Sequence, residues 1–296
     1  MAKYQFSGHE SFTCRNLWLK KGYDFVNNEG SFTDERAVVD LGVGKNMVNS
    51  VRFWLKSFGI VNEDDTLTDL GLFLFDEGEG KDPYIETIGT VWLLHYNLII
   101  TGKSSLYNIF FNEFRRTRTE FQKEQLVTFI EKKYREIESN AFNRNTVSSD
   151  ISVFIRTYLK PTSKNEKVDV EDDFSGLLID LELMQKTTGQ DFNGKLVDYF
   201  KVENEQRTDL PFHIVLFAIL DNERYGKSVS FKELRTGHNS PGVIFSLNED
   251  CLFDKITEII AKYPTVRFSE SAGIQELQFN NRLDKWDILN DYYEAI

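Results

Sequence analysis

Glu35-Arg36-Ala37-Val38-Val39-Asp40-Leu41-Gly42-Val43-Gly44-Lys45-Asn46-Met47-Val48-Asn49-Ser50-Val51-Arg52-Phe53-Trp54-Leu55 reads as two short helices joined by a tight turn. The first helix ends at Leu41, Gly42 supplies the freedom the turn needs, and apolar residues on both sides lock the pair together, as a helix-turn-helix requires. At 100° per residue, Lys45, Asn49, Arg52 and Lys56 fall on one narrow stripe of the second helix, with Asn46 at its start. Val48, Val51, Leu55 and Phe58 form a separate apolar stripe. One face can pack while the other meets phosphates and base edges. The same polar stripe also fits an ordinary solvated helix face, so the spacing nominates a DNA contact without excluding the plainer reading.

The flanks extend the pattern. Phe58-Gly59-Ile60-Val61 closes the second helix, Asn62 to Asp65 is an acidic turn, and Thr66 to Phe75 predicts a strand running into a further helix. Helix-turn-helix, Gly-Ile-Val and Leu-Thr-x-x-Gly in this order resemble the winged-helix domains of bacterial DNA-binding proteins, a fold that also serves as a protein-docking module. Upstream, Ser11 is placed to cap a helix through Leu19, and Arg15, Lys20 and Lys21 to add phosphate contacts. His9, Glu10 and Cys14 invite a metal or nucleophile reading, although a lone His or Cys among aromatics is more often structural. Gly42-Val43-Gly44-Lys45 imitates the end of a phosphate-binding loop. Val39 and Asn46 stand where that loop needs Gly and Ser or Thr, so no nucleotide is expected.

The chain has 296 residues with 35 Lys+Arg against 47 Asp+Glu, a net charge of −12. Such a total speaks against a nucleic-acid partner, since phosphate neutralisation needs cations, but the charge is uneven. Residues 61–100 hold one basic residue against nine acidic, and residues 168–296 hold 13 against 24; residues 1–60 and 101–167 are net basic. The apolar and aromatic content excludes disorder as the main state. Val91 to Ile100, the longest apolar run, is broken by His95, Tyr96 and Asn97 and is too short to span a membrane. The N-terminus lacks a signal-peptide pattern, and two cysteines make neither a disulfide framework nor a zinc cluster. A soluble cytoplasmic protein is expected.

Polar breaks at Asp76–Pro83 and Lys160–Lys167 predict three modules: a winged-helix DNA-binding domain over 1–76, a helical middle domain over 84–160, and an acidic α+β domain over 168–296. The fold class is mainly α with small β wings. Helical spacing covers Ile85–Thr101, Leu106–Phe114, Lys123–Glu138 and Ile151–Leu159. From about residue 211, helices at Pro211–Asp221, Phe231–Leu234 and Leu252–Tyr263 precede a hairpin over Val266–Phe279, a second winged-helix-like unit whose acidity suits protein rather than phosphate.

The opening Phe6-Ser7-Gly8-His9-Glu10-Ser11-Phe12, with Cys14-Arg15, Trp18-Leu19-Lys20-Lys21-Gly22-Tyr23 and Gly44 to Trp54, resembles a bacterial family known only as a domain of unknown function. Its members sit beside DNA phosphorothioation and phage-exclusion genes. The likeness continues in Trp92-Leu93-Leu94-His95, Phe110-Phe111-Asn112-Glu113-Phe114, Ser149-Asp150 to Tyr158 and Glu171-Asp172. It implies a part in single-strand phosphorothioation: nicking duplex DNA so that sulfur can replace a backbone oxygen, beside a cysteine desulfurase, an ATPase and a sulfur transferase. It carries over no catalytic residue. Metal-dependent scission would need clustered carboxylates around Mg²⁺ or Mn²⁺; Glu113 and Asp150, with His95 as a base, are the candidates of the middle segment. Each has a plainer role, Asp150 as the cap of the helix from Ile151 and Glu113 as the partner of Arg116. No nuclease signature appears, so the sequence supports DNA binding better than cleavage. A non-enzymatic adaptor and a winged-helix transcriptional regulator are the competing readings.

Overall fold

A computed structural model describes residues 4–137, 142–160, 176–191, 193–281 and 283–296. Glu171-Asp172 and most of the Lys160–Lys167 break lie outside them. The chain forms two compact units: residues 1–87 with 97–202, and residues 88–96 with 203–296. Both are mainly helical, each with one small three-stranded antiparallel sheet. Among the described residues no helix is long and apolar enough to cross a membrane.

The first unit begins with helices α1 (Trp18–Asn27), α2 (Ala37–Asp40), α3 (Lys45–Ser57) and α4 (Asp69–Phe75). Gly42 takes φ +59° in the α2–α3 turn, a left-handed conformation that costs Gly least. Val48, Val51, Trp54, Leu55 and Phe58 are buried and hold α3 against α1 and its surroundings. The strand expected within Thr66–Phe75 shortens to a single bridge, Val61 to Leu67, because Thr68 accepts from the Gly71 amide and starts α4 two residues later. The helix expected from Ser11 starts instead at Trp18 and has no side-chain cap.

The unit continues from the end of α5 (Ile88–Ile100) through α6 (Ser105–Ile109), a π-helical turn (Phe110–Phe114), α7 (Arg115–Thr117), α8 (Lys123–Ile137) and α9 (Arg144–Tyr158). Tyr107, Phe110, Phe111, Phe114, Phe121, Phe154 and Tyr158 interlock as its aromatic core, with Phe110 and Phe154 ring centroids 4.6 Å apart. Strand β1 (Glu120–Phe121) pairs with β3 (Leu196–Lys201), which pairs in turn with β2 (Gln185–Gln190).

The second unit joins Ile88–Tyr96 to α10 (Phe212–Asp221), β4 (Ser228–Ser230), α11 (Phe231–Thr236), α12 (Pro241–Ile244), α13 (Glu249–Lys262), β5 (Val266–Ser271), β6 (Ile274–Phe279) and α14 (Lys285–Glu294). Trp92 donates to Asp209 at 3.0 Å and Tyr96 to Asp221 at 2.9 Å, tying the early segment to its distant partners. The sheet order is β4-β6-β5, and the β5–β6 hairpin turns on Ala272-Gly273, both at positive φ.

Candidate nucleic-acid interface

The stripe on α3 divides in two. Lys45, Asn46 and Asn49 are exposed, and their side chains make no ion pair or hydrogen bond among the described residues. No acidic residue lies in the first turn, and no side chain caps it. One and two turns further on, Arg52 and Lys56 are engaged. Arg52 grips Asp65 through two parallel bonds, Nε to Oδ1 at 2.9 Å and Nη2 to Oδ2 at 2.6 Å. Lys56 reaches the same carboxylate at 2.9 Å and donates to the Glu63 carbonyl at 2.6 Å. Asp65 sits at φ +66° in the acidic turn that follows α3. Its partial burial would raise its pKa, but the bonds from Arg52 and Lys56 prevail and hold it below the usual carboxylate range.

The other expected phosphate contacts are also engaged. Lys20 pairs with Asp24, Lys21 donates to the Leu41 carbonyl at 3.0 Å, and the Arg15 guanidinium lies over the Trp18 ring at 5.2 Å. Lys21 thus anchors the end of α2.

Behind α3 lies the Phe6–Phe12 loop. Four of its residues have positive φ: Ser7 at 70°, Gly8 at 108°, Glu10 at 47° and Ser11 at 66°. Each non-glycine residue there costs on the order of 1–3 kcal/mol and persists only where its surroundings over-determine it. A Cβ on Gly8 would fall 2.5 Å from the Phe53 ring, so the loop lies directly on the inner face of α3. The Trp54 indole donates to the Phe12 carbonyl at 3.1 Å, and the His9 ring stacks on Trp54 and meets Phe53 edge-on.

Asp150 holds this loop in place. Its Oδ2 accepts from the Ser7 amide at 2.7 Å and its Oδ1 lies 3.2 Å from His9 Nε2, with both side chains buried. His9 Nδ1 accepts from the Ser11 amide at 3.2 Å, which places the ring proton on Nε2, facing Asp150. Arg156 donates to the Ser11 carbonyl at 2.7 Å. Asp150 therefore does not cap the helix from Ile151: α9 starts at Arg144 under Asn143, and Asp150 lies in its interior, turned toward the loop. Ser11 is likewise an exposed loop residue rather than a cap.

Of the expected catalytic group, only His9 and Asp150 bond to each other. Glu10 is exposed. Glu113, on the π-helical turn, pairs with Lys133 of α8 rather than with Arg116. His95 belongs to the second unit, buried, with Nε2 3.0 Å from the Ile244 carbonyl. Among the described residues no group of three or more His, Cys, Asp or Glu is placed to hold a metal ion. Asp150 accepts from Ser7 and faces His9, and neither Glu113, Glu10 nor His95 joins them, so these residues do not form a Mg²⁺ or Mn²⁺ centre. Burial raises the thiol pKa of Cys14 and of Cys251.

The pattern of a family described as "Protein of unknown function (DUF4007)" matches residues 6–293. The chain belongs to that family. Two crystal structures of SspB, one of them magnesium ion-bound, share its fold, with TM-scores of 0.83 and 0.82. Each is 24% identical in sequence, and each superposition covers 99% of this chain and 88% of the other. No protein with a curated description matches the chain in sequence. The stretches that carry the sequence resemblance fall on the geometry above: Phe6–Phe12 is the strained loop, Gly44–Trp54 lies in the helix it supports, and Ser149–Tyr158 in the segment that anchors it.

Proposed function

We propose that the chain is the duplex-DNA-binding component of a DNA phosphorothioation and phage-defence system, and that it meets DNA through the outward face of α3, as the second helix of a winged helix-turn-helix. The observation that carries this reading is the exposed, acid-free and unpaired set Lys45, Asn46 and Asn49 on a helix whose opposite side is buried. Lys45 supplies charge for a phosphate, and the two amides can both donate to and accept from base edges. Family membership and the likeness to SspB support the assignment to a phosphorothioation system. Within it, the resemblance implies a cysteine desulfurase, an ATPase and a sulfur transferase as partners. Buried thiols of raised pKa suit sulfur carriage by those partners rather than by Cys14 or Cys251.

The role is binding and presentation of the duplex. Strand nicking, which the resemblance implies, is assigned to none of His9, Glu113, Asp150 or His95, because each is bonded within the protein. The binding test is fluorescence anisotropy of a labelled duplex across a salt series. A Lys45→Ala/Asn49→Ala variant that folds should bind about tenfold more weakly, with a salt slope shallower by about 1. Unchanged affinity would reject α3 as the contact. For nicking, supercoiled plasmid incubated with the protein and Mg²⁺ or Mn²⁺ should stay supercoiled if the role is presentation. Relaxation that EDTA stops and that folded Glu113→Gln and Asp150→Asn variants retain would establish cleavage at a different site.

A further inference from the structure

The element order of the second unit is α10, β4, α11 with α12, α13, β5, β6, and its sheet runs β4-β6-β5. That is the order of a winged helix, with α13 in the place of the helix that enters the major groove and Ala272-Gly273 at the tip of the wing. The outward side of α13 has the wrong sign for that task. It carries Glu249, Asp250, Asp254 and Glu258, all exposed, against one exposed cation, Lys262 in the last turn, while Lys255 is buried. Glu249 pairs with Arg235 and Glu258 with Lys255. Asp250 and Asp254 pair with no cation among the described residues, although Asp254 accepts from Gln206 at 2.9 Å.

Amid these acids an aromatic surface is left open. Phe253 on α13 is 45% exposed. The Phe253 ring lies 5.7 Å from Phe268 of β5 and 6.4 Å from Phe231 of α11, and Phe231 lies 6.0 Å from Phe268. Three rings from three elements thus form one cluster whose outer member faces solvent. Buried Phe231 fixes the other two from below, so this is a pre-ordered platform rather than a stray side chain.

We propose that the α13–β5–β6 face is a docking surface for a basic protein segment, one presenting Lys or Arg around an apolar side chain, and not for nucleic acid. Charge complementarity selects this occupant: a phosphate backbone would meet the Asp250 and Asp254 carboxylates, which no cation neutralises among the described residues, whereas a cationic helix would meet partners for its charges and an aromatic seat for its apolar residue. The inference rests on the same winged-helix reading as the proposed function but uses a different helix, so the two can fail separately.

The test uses the full chain and a fluorescein-labelled amphipathic helix of Lys and Leu as probe, with a Glu/Leu helix as its counterpart. The Lys/Leu helix should bind saturably and protect Glu249–Lys262 and Val266–Phe279 from hydrogen exchange, and the counterpart should not bind. Phe253→Ser and Asp250→Lys should each weaken binding by about fivefold or more, while Phe253→Leu, which keeps the apolar seat, should stay within about twofold. Equal binding by all three variants, protection elsewhere on the chain, or protection of α13 by duplex alone would overturn the proposal. Failure of the Lys45→Ala/Asn49→Ala test with these outcomes intact would overturn the DNA reading and leave this one standing.

Discussion

Helices α3 and α13 are built alike and charged oppositely. Each follows a short helix across a turn, each buries one apolar side, and each is followed by an antiparallel return of the chain, a single bridge after α3 and a full hairpin after α13. The outward side of α3 presents Lys45, Asn46 and Asn49 without an acid; that of α13 presents four acids around Phe253. A net charge of −12 averages over this contrast. Backbone order sets which side chains face outward, while their identity decides which charge the same scaffold turns to solvent.

The strongest way to break the comparison is to remove the support of one helix alone. His9→Ala removes one of the two donors to a buried carboxylate together with a ring stacked on Trp54, frees the strained loop, and should cost about 3 kcal/mol. Hydrogen exchange should register the loss at α3 amides and leave α13 amides protected. An equal loss at both would show that the loop acts on the whole chain rather than on α3.

The second unit has its own sensitivity. Burial lowers the His213 pKa from 6.5 to about 4, Lys262 adding to the effect and Asp291 opposing it. Above pH 6.5 neither state binds the proton. Between 6.5 and 4 the unfolded chain takes up a proton that the folded unit refuses, so stability falls as pH falls, by about 3 kcal/mol in total. Protection of α13 amides measured at pH 7, 5 and 4 should follow this course, and His213→Leu should flatten it.

Smaller effects sharpen the contrast at the surface. Asp250→Lys should leave duplex affinity within about twofold, against the tenfold loss from Lys45→Ala/Asn49→Ala. Asp65→Asn should act in the opposite direction, because it releases Arg52 and Lys56 from their shared carboxylate; a gain of about threefold in duplex affinity, largest at low salt, is expected. A loss instead would mean that the ion pair holds α3 in its binding pose.

Helical periodicity made α3 and the apolar middle helices legible, and alternation around a Gly-containing turn did the same for the β5–β6 hairpin, since each repeats its signal within a few residues. The state of Arg52 and Lys56 was not legible: a helical wheel gives their direction but not the return of Asp65, thirteen and nine residues on, to the same spot. Asp150 looked like a helix cap because a Ser-Ser-Asp start is local, while its partners Ser7 and His9 lie more than 140 residues away. Ile88–Tyr96 gave no hint that it joins residues beyond 203, for the same reason. The β2–β3 hairpin escaped notice because Gln185-Lys186-Thr187-Thr188-Gly189-Gln190 is almost wholly exposed and lacks apolar alternation. The bonds that form the candidate site are therefore the ones sequence patterns carry least.

The tie between Asp150 and the Phe6–Phe12 loop bears on how the chain is made. The supports behind α3 include a residue of α9, and the loop's continuation is fastened later still, where the Leu177 amide donates to the Cys14 carbonyl and Arg15 bridges to Gly176. During synthesis, the helix-turn-helix therefore leaves the ribosome well before the segments that hold its loop, and it waits as an unsupported hairpin of helices until α9 and residue 176 follow. A prematurely ended chain would display Lys45 and Asn49 on a helix without its backing, and their fixed presentation should arrive only with translation of the far end of the first unit.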